Sequence, residues 1–201
     1  IVRQSERDAI YRKALQPLID RDLVFGCACT RSGIRDQGSG TRGQGPGTRG
    51  QGPGTRDQGP GTGDQGTGSV REDAELRYPG TCRDKNIPLT DGVGWRVRME
   101  PGAERFFDEL LGPQEQDPHL QCGDLLVRDR LGNWTYQFAV TVDDDVQQIT
   151  DVIRGEDLLA STGRQIRLAR LLGRQTPPRF WHHPLIMKSP TQKLSKSDGD
   201  T

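Results

Sequence analysis

Residues 36–69 contain no Ala, Val, Ile, Leu, Met, Phe, Trp, Tyr or Cys, so 34 consecutive positions of this chain can bury nothing. Any packed structure has to be assembled from the two flanks, with this segment as a connection between them. The segment holds 13 of the 26 glycines. Gln recurs at positions 37, 44, 51, 58 and 65, which gives a unit close to Gln-Gly-Pro-Gly-Thr-Arg-x. A period of seven makes a coiled coil only when two of the positions are apolar. The unit is not Gly-X-Y, so it is not collagen-like. Its three arginines are cancelled by Asp36, Asp57 and Asp64, which counts against a basic arm that tethers RNA. The composition predicts a disordered surface loop.

The chain has 201 residues, enough for one domain or a domain with a small appendage. Lys plus Arg and Asp plus Glu both number 28. A neutral balance excludes a uniformly basic nucleic-acid coat protein, though not a local basic patch. The apolar share is 31% overall and roughly 37% outside the repeat, closer to an ordinary globular composition. No apolar run approaches the ~18–20 residues of a membrane span, and no secretory pattern is present. The chain opens on Ile1 rather than Met, and the expectation is a fragment without its natural N-terminus.

Four cysteines are present, Cys27, Cys29, Cys82 and Cys122. Cys27 and Cys29 are too close for a comfortable disulfide, and a stapled secreted domain carries more cysteines per residue. The reading is a cytoplasmic chain with reduced thiols, some of them on a metal. Cys27, Cys29 and Cys82 are one ligand short of a closed tetrahedral zinc set, and buried free thiols are the alternative. Cys122 has no motif partner and reads as a small buried residue.

The flanks read as mixed α/β. Residues 5–24 suggest a helix capped by Ser5, with Ile10, Ala14 and Leu18 on one face and a kink or early stop at Pro17. Leu23, Val24 and Phe25 form a short apolar run. Residues 95–99 alternate like a half-buried strand. Residues 106–111 form a short apolar element ending at Gly112-Pro113. Residues 125–127 and 131–134 read as strand, turn and strand. Residues 136–142 are a buried strand candidate, and Val152-Ile153 is another. Ser161 caps a helix through Leu172, with Gly173 as the stop and Arg167 and Arg170 in its cationic half.

Lys193-Leu194-Ser195-Lys196-Ser197 places two ammonium groups on one loop. Such a pair can neutralise a triphosphate as charge moves onto departing pyrophosphate, or it can be a solvated basic tail. Arg154 offers a planar fork for a carboxylate and follows the apolar pair Val152-Ile153. It can equally be a structural partner of Asp151, Glu156 or Asp157. Tyr136 can hold an amino-acid head group through its phenol or serve as a core aromatic. His182 and His183, being adjacent, point in different directions on an extended segment.

Taken in order, W-T-Y-Q-F-A-V-T-V-D-D at 134–144, V-I-R-G-E-D-L-L at 152–159, S-T-x-R-Q-I at 161–166 and K-L-S-K-S at 193–197 resemble the glutamyl and glutaminyl branch of the class I aminoacyl-tRNA synthetases. The resemblance covers most of the chain outside the repeat. Within that branch, C-A-C-T-R at 27–31, Y-P-G-T-C-R at 78–83 and the H-H-P before the lysine loop are most similar to the truncated paralogues, the glutamyl-queuosine tRNA(Asp) synthetases. Ordinary glutamyl-tRNA synthetases share much of the pattern.

The resemblance implies an α/β fold, part of a Rossmann-type catalytic domain with a small zinc-binding insertion and a disordered Gly-rich loop. It divides the chain into a catalytic-domain helix at 1–26, the insertion at 27–82 containing the repeat at 36–69, and the rest of the catalytic domain at 83–201. It implies that Tyr136 and Arg154 contact L-glutamate. Lys193, Leu194, Ser195, Lys196 and Ser197 would form the loop that closes on ATP, taken with magnesium, and Lys196 would be its catalytic lysine. The family's Tyr-x-x-x-Cys pair falls on Tyr78 and Cys82, completing a zinc set with Cys27 and Cys29. A phenol is a poor zinc ligand unless the metal lowers its pKa, so such a site is weaker than one of four cysteines. The histidines would sit beside the ATP pocket rather than in a proton relay.

The implied activity is ATP-dependent activation of glutamate and its transfer to the queuosine base in the anticodon of tRNA(Asp), by a cytoplasmic monomer. An ordinary glutamyl-tRNA synthetase fragment is one alternative. A non-catalytic zinc-bearing RNA-binding remnant is another. The family's His-Ile-Gly-His motif does not occur before Cys27, and the chain stops at Thr201 soon after the lysine loop, so residues 1–201 alone are expected to lack glutamate-dependent pyrophosphate exchange. Removing residues 36–69 is expected to leave the melting temperature unchanged or slightly raised, because no apolar contact is lost. A drop of several degrees in a thermal scan would contradict this.

Overall fold

A computed structural model describes residues 3–39, 76–185, 187–189 and 192–193. Most of the repeat, 40–69, lies outside the described residues, and so do residues 194–197 of the lysine loop. The order begins with helix α1 (Asp8–Asp20), strand β1 (Val24–Cys27) and helix α2 (Arg31–Ser39). Strands β2 (Gly94–Val97), β3 (Glu104–Asp108) and β4 (Gly112–Gln116) follow, then helix α3 (Pro118–Cys122) and strand β5 (Leu125–Arg128). The last part comprises helix α4 (Tyr136–Val146), strand β6 (Asp151–Gly155), helix α5 (Thr162–Leu171), strand β7 (Arg179–His183) and the paired strands β8 (Met187–Ser189) and β9 (Gln192–Lys193). Because α2 runs to Ser39, the first four positions of the apolar-free segment continue a helix begun by Arg31 rather than starting the loop.

Two sheets organise these elements. One is antiparallel, in the order β1-β2-β5. The other has the order β4-β3-β7-β6. Within it β3 and β4 form a hairpin, while β3–β7 and β6–β7 pair in parallel. Three adjacent parallel strands with α4 and α5 beside them make the mixed α/β, Rossmann-like arrangement. In such sheets the usable crevice lies beyond the carboxyl ends of the strands. Asp108 ends β3, Arg154 is the penultimate residue of β6 and His182 that of β7, so all three stand at that edge.

The main core joins Leu15 and Leu18 of α1 to Val97, Val127, Phe138, Val142 and Leu168. A smaller one contains Phe25, Cys27, Ile34, Tyr78 and Cys82. A polar clasp fixes α1 on α4: the Asp143 carboxylate accepts from Arg7 Nε at 2.8 Å and from the Tyr11 phenol at 2.9 Å. Another fixes α5 on β3, where buried Glu104 meets Arg167 and Arg170, each at 2.7 Å. No helix among the described residues is long and apolar enough to cross a membrane.

Several expectations need correction. The segment 136–142 is not a strand but the start of α4. Its aromatic and β-branched residues suit a strand, and so short an apolar run does not settle its own period. The buried positions Phe138, Ala139, Thr141, Val142 and Asp143 follow a helical face, fixed by Phe138 stacking on Trp134 with centroids 5.0 Å apart. Ser5 does not cap α1, which starts after Arg7 without a side-chain cap. The buried face of α1 is Tyr11, Leu15 and Leu18, while Ile10 is exposed. Pro17 stays inside the helix, because the burial of Leu15 and Leu18 outweighs one missing backbone bond. Strand β2 is buried at all four positions, since both of its faces are covered: Trp95 and Val97 enter the main core, and Arg96 on the other face lies over the Tyr78 ring.

Leu168 is fully buried among Phe138 and its neighbours, on the helix that also carries Thr162 and Gln165. Leu168→Ala is expected to cost about 2–5 kcal/mol and to lower the melting temperature by several degrees. Ile153→Ala, at a position 72% exposed, should stay within about 0.5 kcal/mol. Denaturant titration of the two variants checks the contrast.

Candidate active site

Arg154 is carried by β6 and is 9% exposed. Its Nε donates to His182 Nε2 at 2.9 Å, Nη1 donates to Gln165 Oε1 at 2.8 Å and Nη2 donates to Thr162 Oγ1 at 2.8 Å. Those partners come from β7 and from the first turn of α5. Asp151, one of the carboxylates considered for Arg154, pairs with Arg179 instead. Burial works against the Arg154 charge, and the Tyr136 phenol beside it works in its favour. Tyr136 opens α4 and is 49% exposed, so it is not a core aromatic. Chain folding thus brings Tyr136 and Arg154 to one place, with the phenol open to solvent and the guanidinium recessed.

Behind Arg154 the network continues inward. His182 is fully buried, and its Nδ1 lies 2.5 Å from Asp108 Oδ2. Burial would raise the Asp108 carboxyl, but hydrogen bonds from His182 and the N–H groups of Leu111 and Leu110 outweigh it and hold the pKa below the usual range. On the other side Gln165 Nε2 donates to Gln137 Oε1 at 2.8 Å, and Gln137 Nε2 donates to Ser161 Oγ at 2.9 Å. The motifs at 161–166 and 134–144 are therefore the scaffold of one guanidinium. His183 alternates outward and is exposed.

Asp108, Thr162, Gln165 and Gln137 were not singled out individually from sequence. Thr162 and Gln165 had a usable signal, because residues three apart at a helix start share a face. Asp108 had none, since its meeting with His182 depends on the parallel pairing of β3 with β7.

A second cluster lies on β1 and the segment after the repeat. Sγ atoms of Cys27, Cys29 and Cys82 all fall within 4.8 Å of one another, and those of Cys29 and Cys82 are 3.5 Å apart. Tetrahedral thiolates at about 2.3 Å from a metal sit roughly 3.8 Å apart, so the three fit one ion. The buried Tyr78 phenol accepts the Cys82 N–H at 2.7 Å and shares the smaller core with Cys27 and Cys82, which brings it to the same cluster. Burial, helped by the neighbouring thiols, pushes Cys29 up to about 12 and raises Tyr78 as well. Such a donor set suits a cation, because positive charge at the centre makes several thiolates stable together. Cys122 stands apart in the main core, with its thiol on the Pro118 carbonyl.

Two glycines make this cluster sterically possible. A Cβ on Gly26, next to Cys27, would lie 2.5 Å from the Ile87 carbonyl oxygen. A Cβ on Gly123 would lie 2.1 Å from the Tyr78 carbonyl oxygen, at a φ of +67° that already favours glycine. A cavity of about 510 Å³ opens beside Cys27 and Cys29 and reaches Arg96, Asp124 and Gln137. Gln137 thus borders both this cavity and the Arg154 network. Of the lysine loop, only Lys193 is described, at the end of β9.

The whole chain, residues 1–201, matches the family model described as tRNA synthetases class I (E and Q), catalytic domain. It is 43% identical over 200 residues to the glutamyl-Q tRNA(Asp) synthetase of Bordetella bronchiseptica, covering 99% of this chain and 54% of that protein. It is 37% identical over 193 residues to the glutamyl-Q tRNA(Asp) synthetase of Aromatoleum aromaticum, covering 96% and 51%. The chain therefore spans about half the length of these relatives. The fold matches a glutamate tRNA ligase from Elizabethkingia meningosepticum, solved in complex with its amino acid, with a TM-score of 0.66 at 22% identity, over 98% of this chain and 37% of that one.

Gly123→Ala is expected to lower stability by more than Gly112→Ala. Both positions have positive φ, but a Cβ at Gly112 meets nothing within 4 Å. A positive φ disfavours a side chain in either case, but Gly123, with a ψ of −145°, lies in a region essentially restricted to glycine, and only Gly123 adds a backbone clash that displaces Tyr78. Equal melting temperatures for the two variants would contradict this account of the cluster.

Proposed function

Since the chain belongs to the class I tRNA synthetases of the E and Q catalytic-domain family, we propose that its site activates glutamate with ATP and serves glutamate transfer to the queuosine base of tRNA(Asp). The observation that carries the reading is Arg154: a permanent cation, recessed at the carboxyl ends of parallel strands, beside the open phenol of Tyr136. That pair suits a substrate with carboxylates and an ammonium group. Arg154 takes a carboxylate and Tyr136 holds the head group. The names of the relatives support tRNA(Asp) as the acceptor.

Activation is attack of the glutamate α-carboxylate on the α-phosphate of ATP, with pyrophosphate leaving. No protein nucleophile is needed, and catalysis is positioning plus neutralisation of charge. Lys193 and Lys196, on the loop 193–197 with Leu194, Ser195 and Ser197, supply that positive charge, and magnesium accompanies the nucleotide. The protein works as a cytoplasmic monomer. Residues 27–82 form the metal-bearing insertion and residues 1–26 and 83–201 the catalytic frame. Zinc is held by Cys27, Cys29 and Cys82 with Tyr78 as the fourth, oxygen ligand, and its task is to fix the segments on either side of the repeat.

Two measurements test this reading. Freshly purified, unchelated protein should carry close to one zinc per chain. Cys82→Ser should remove most of it and Cys122→Ser should not; metal analysis finding no zinc would refute the site.

In the full-length protein, Arg154→Ala leaves a carboxylate without its partner, which costs on the order of 2–5 kcal/mol. It should raise the KM for glutamate strongly, with poor rescue by Arg154→Lys, which lacks the fork. Lys196→Ala should lower kcat more than it raises the KM for ATP, since its interaction grows toward the transition state. Unchanged glutamate kinetics in Arg154→Ala would overturn the assignment.

A further inference from the structure

A guanidinium carries five N–H donors, has no acceptor and stays charged. Buried as it is, each donor of Arg154 must meet an acceptor or remain for a ligand. Nε donates to His182 Nε2 and Nη2 donates to Thr162 Oγ1, and these two acceptors are 3.2 Å apart. Together they fill the side of the fork formed by Nε and Nη2. Nη1 donates to Gln165, which Gln137 holds in place. Beyond these three bonds one N–H on Nη1 and one on Nη2 remain, and with Nε and Nη2 already engaged on one side a carboxylate can be taken by a fork only across Nη1 and Nη2.

His182 can accept from Arg154 only while its Nε2 is bare, because the guanidinium offers nothing to a proton there. The ring proton then belongs on Nδ1, which faces Asp108 Oδ2 at 2.5 Å. Asp108 is itself fixed: its Oδ1 accepts the N–H groups of Leu110 at 3.1 Å and Leu111 at 3.0 Å. A buried, backbone-anchored carboxylate is acceptor-only, so it selects one tautomer of the ring.

We infer that His182 is a positioning residue for Arg154: Asp108 keeps its proton on Nδ1, the bare Nε2 holds the Arg154 Nε, and the guanidinium is thereby confined to end-on binding of a carboxylate through Nη1 and Nη2. The inference rests on Arg154 being the carboxylate ligand proposed above. Neither Asp108 nor His182 touches the substrate in this arrangement.

The tautomer is readable directly by ¹⁵N NMR of the imidazoles, since the chain has only three histidines and His182→Gln assigns the resonance. The expected result is a protonated Nδ1 and a bare Nε2 for His182 in the unaltered protein. Asp108→Asn can turn an amide N–H toward Nδ1 and should move the proton to Nε2, against the Arg154 N–H. A proton on Nε2 in the unaltered protein would overturn the inference, whatever the variants do.

Kinetics supply the second arm, by glutamate-dependent pyrophosphate exchange in the full-length protein. Asp108→Asn should raise the KM for glutamate about ten- to a hundredfold, the scale of one lost hydrogen bond to a charged group, with the KM for ATP unchanged. His182→Gln keeps an acceptor for Arg154 and a donor for Asp108, whereas His182→Phe keeps ring volume and loses both. The Gln variant should lie closer to the unaltered protein in its glutamate KM. If the Phe variant does, packing alone explains His182 and the inference fails. If Arg154→Ala itself leaves glutamate kinetics unchanged, the carboxylate reading has failed; if Arg154→Ala is impaired but Asp108→Asn is not, only the positioning role has.

Discussion

A cation that cannot shed its charge is buried at the end of β6, and its three hydrogen-bond partners, His182, Gln165 and Thr162, are all uncharged side chains. Burying such a charge is costly unless it is well hydrogen-bonded. The surrounding architecture answers that need. Strand β7 runs parallel to β6 so that His182 registers opposite Arg154. Strand β3 ends beside β7 so that Asp108 reaches His182, and α5 starts where Thr162 and Gln165 can face the guanidinium. The ion pairs of Glu104 with Arg167 and Arg170 hold α5 on β3, which keeps both ends of the network together.

The thiol cluster faces a different physical problem. Cys27 and Cys29 lie before the apolar-free segment, and Tyr78 and Cys82 lie after it. Loop-closure entropy grows only with the logarithm of length, so even a long insertion between them is tolerable when its ends are fastened. The fastening described here is a small core of Phe25, Cys27, Ile34, Tyr78 and Cys82, two close backbone approaches at Gly26 and Gly123, and a donor set suited to a metal.

How much of this could be read from sequence depends on the range of the interaction. The α/β character, the helix stopping before Gly173 and the short strand around Val152-Ile153 follow local patterning, while the apolar run Leu23-Val24-Phe25 marked burial without showing that Val24–Cys27 is a strand. The thiol cluster was legible because its residues carry a chemistry that few arrangements satisfy. Residues 136–142 were misjudged because a short run of Tyr, Phe, Val and Thr suits a strand, and only packing against Trp134 and Leu168 makes it a helix. Asp108 was out of reach for a similar reason. Its spacing of 74 residues from His182 carries no local signal, and its role exists only through the register of β3 on β7.

The central claim is that Arg154 is preset to receive a carboxylate end-on. A crystal structure of the full-length protein with glutamate bound tests this most directly. The account predicts a carboxylate across Nη1 and Nη2 of Arg154, with Nε still on His182 and the Tyr136 phenol beside the ligand. Glutamate bound elsewhere, or an Arg154 side chain that leaves His182 to meet it through Nε, would contradict it.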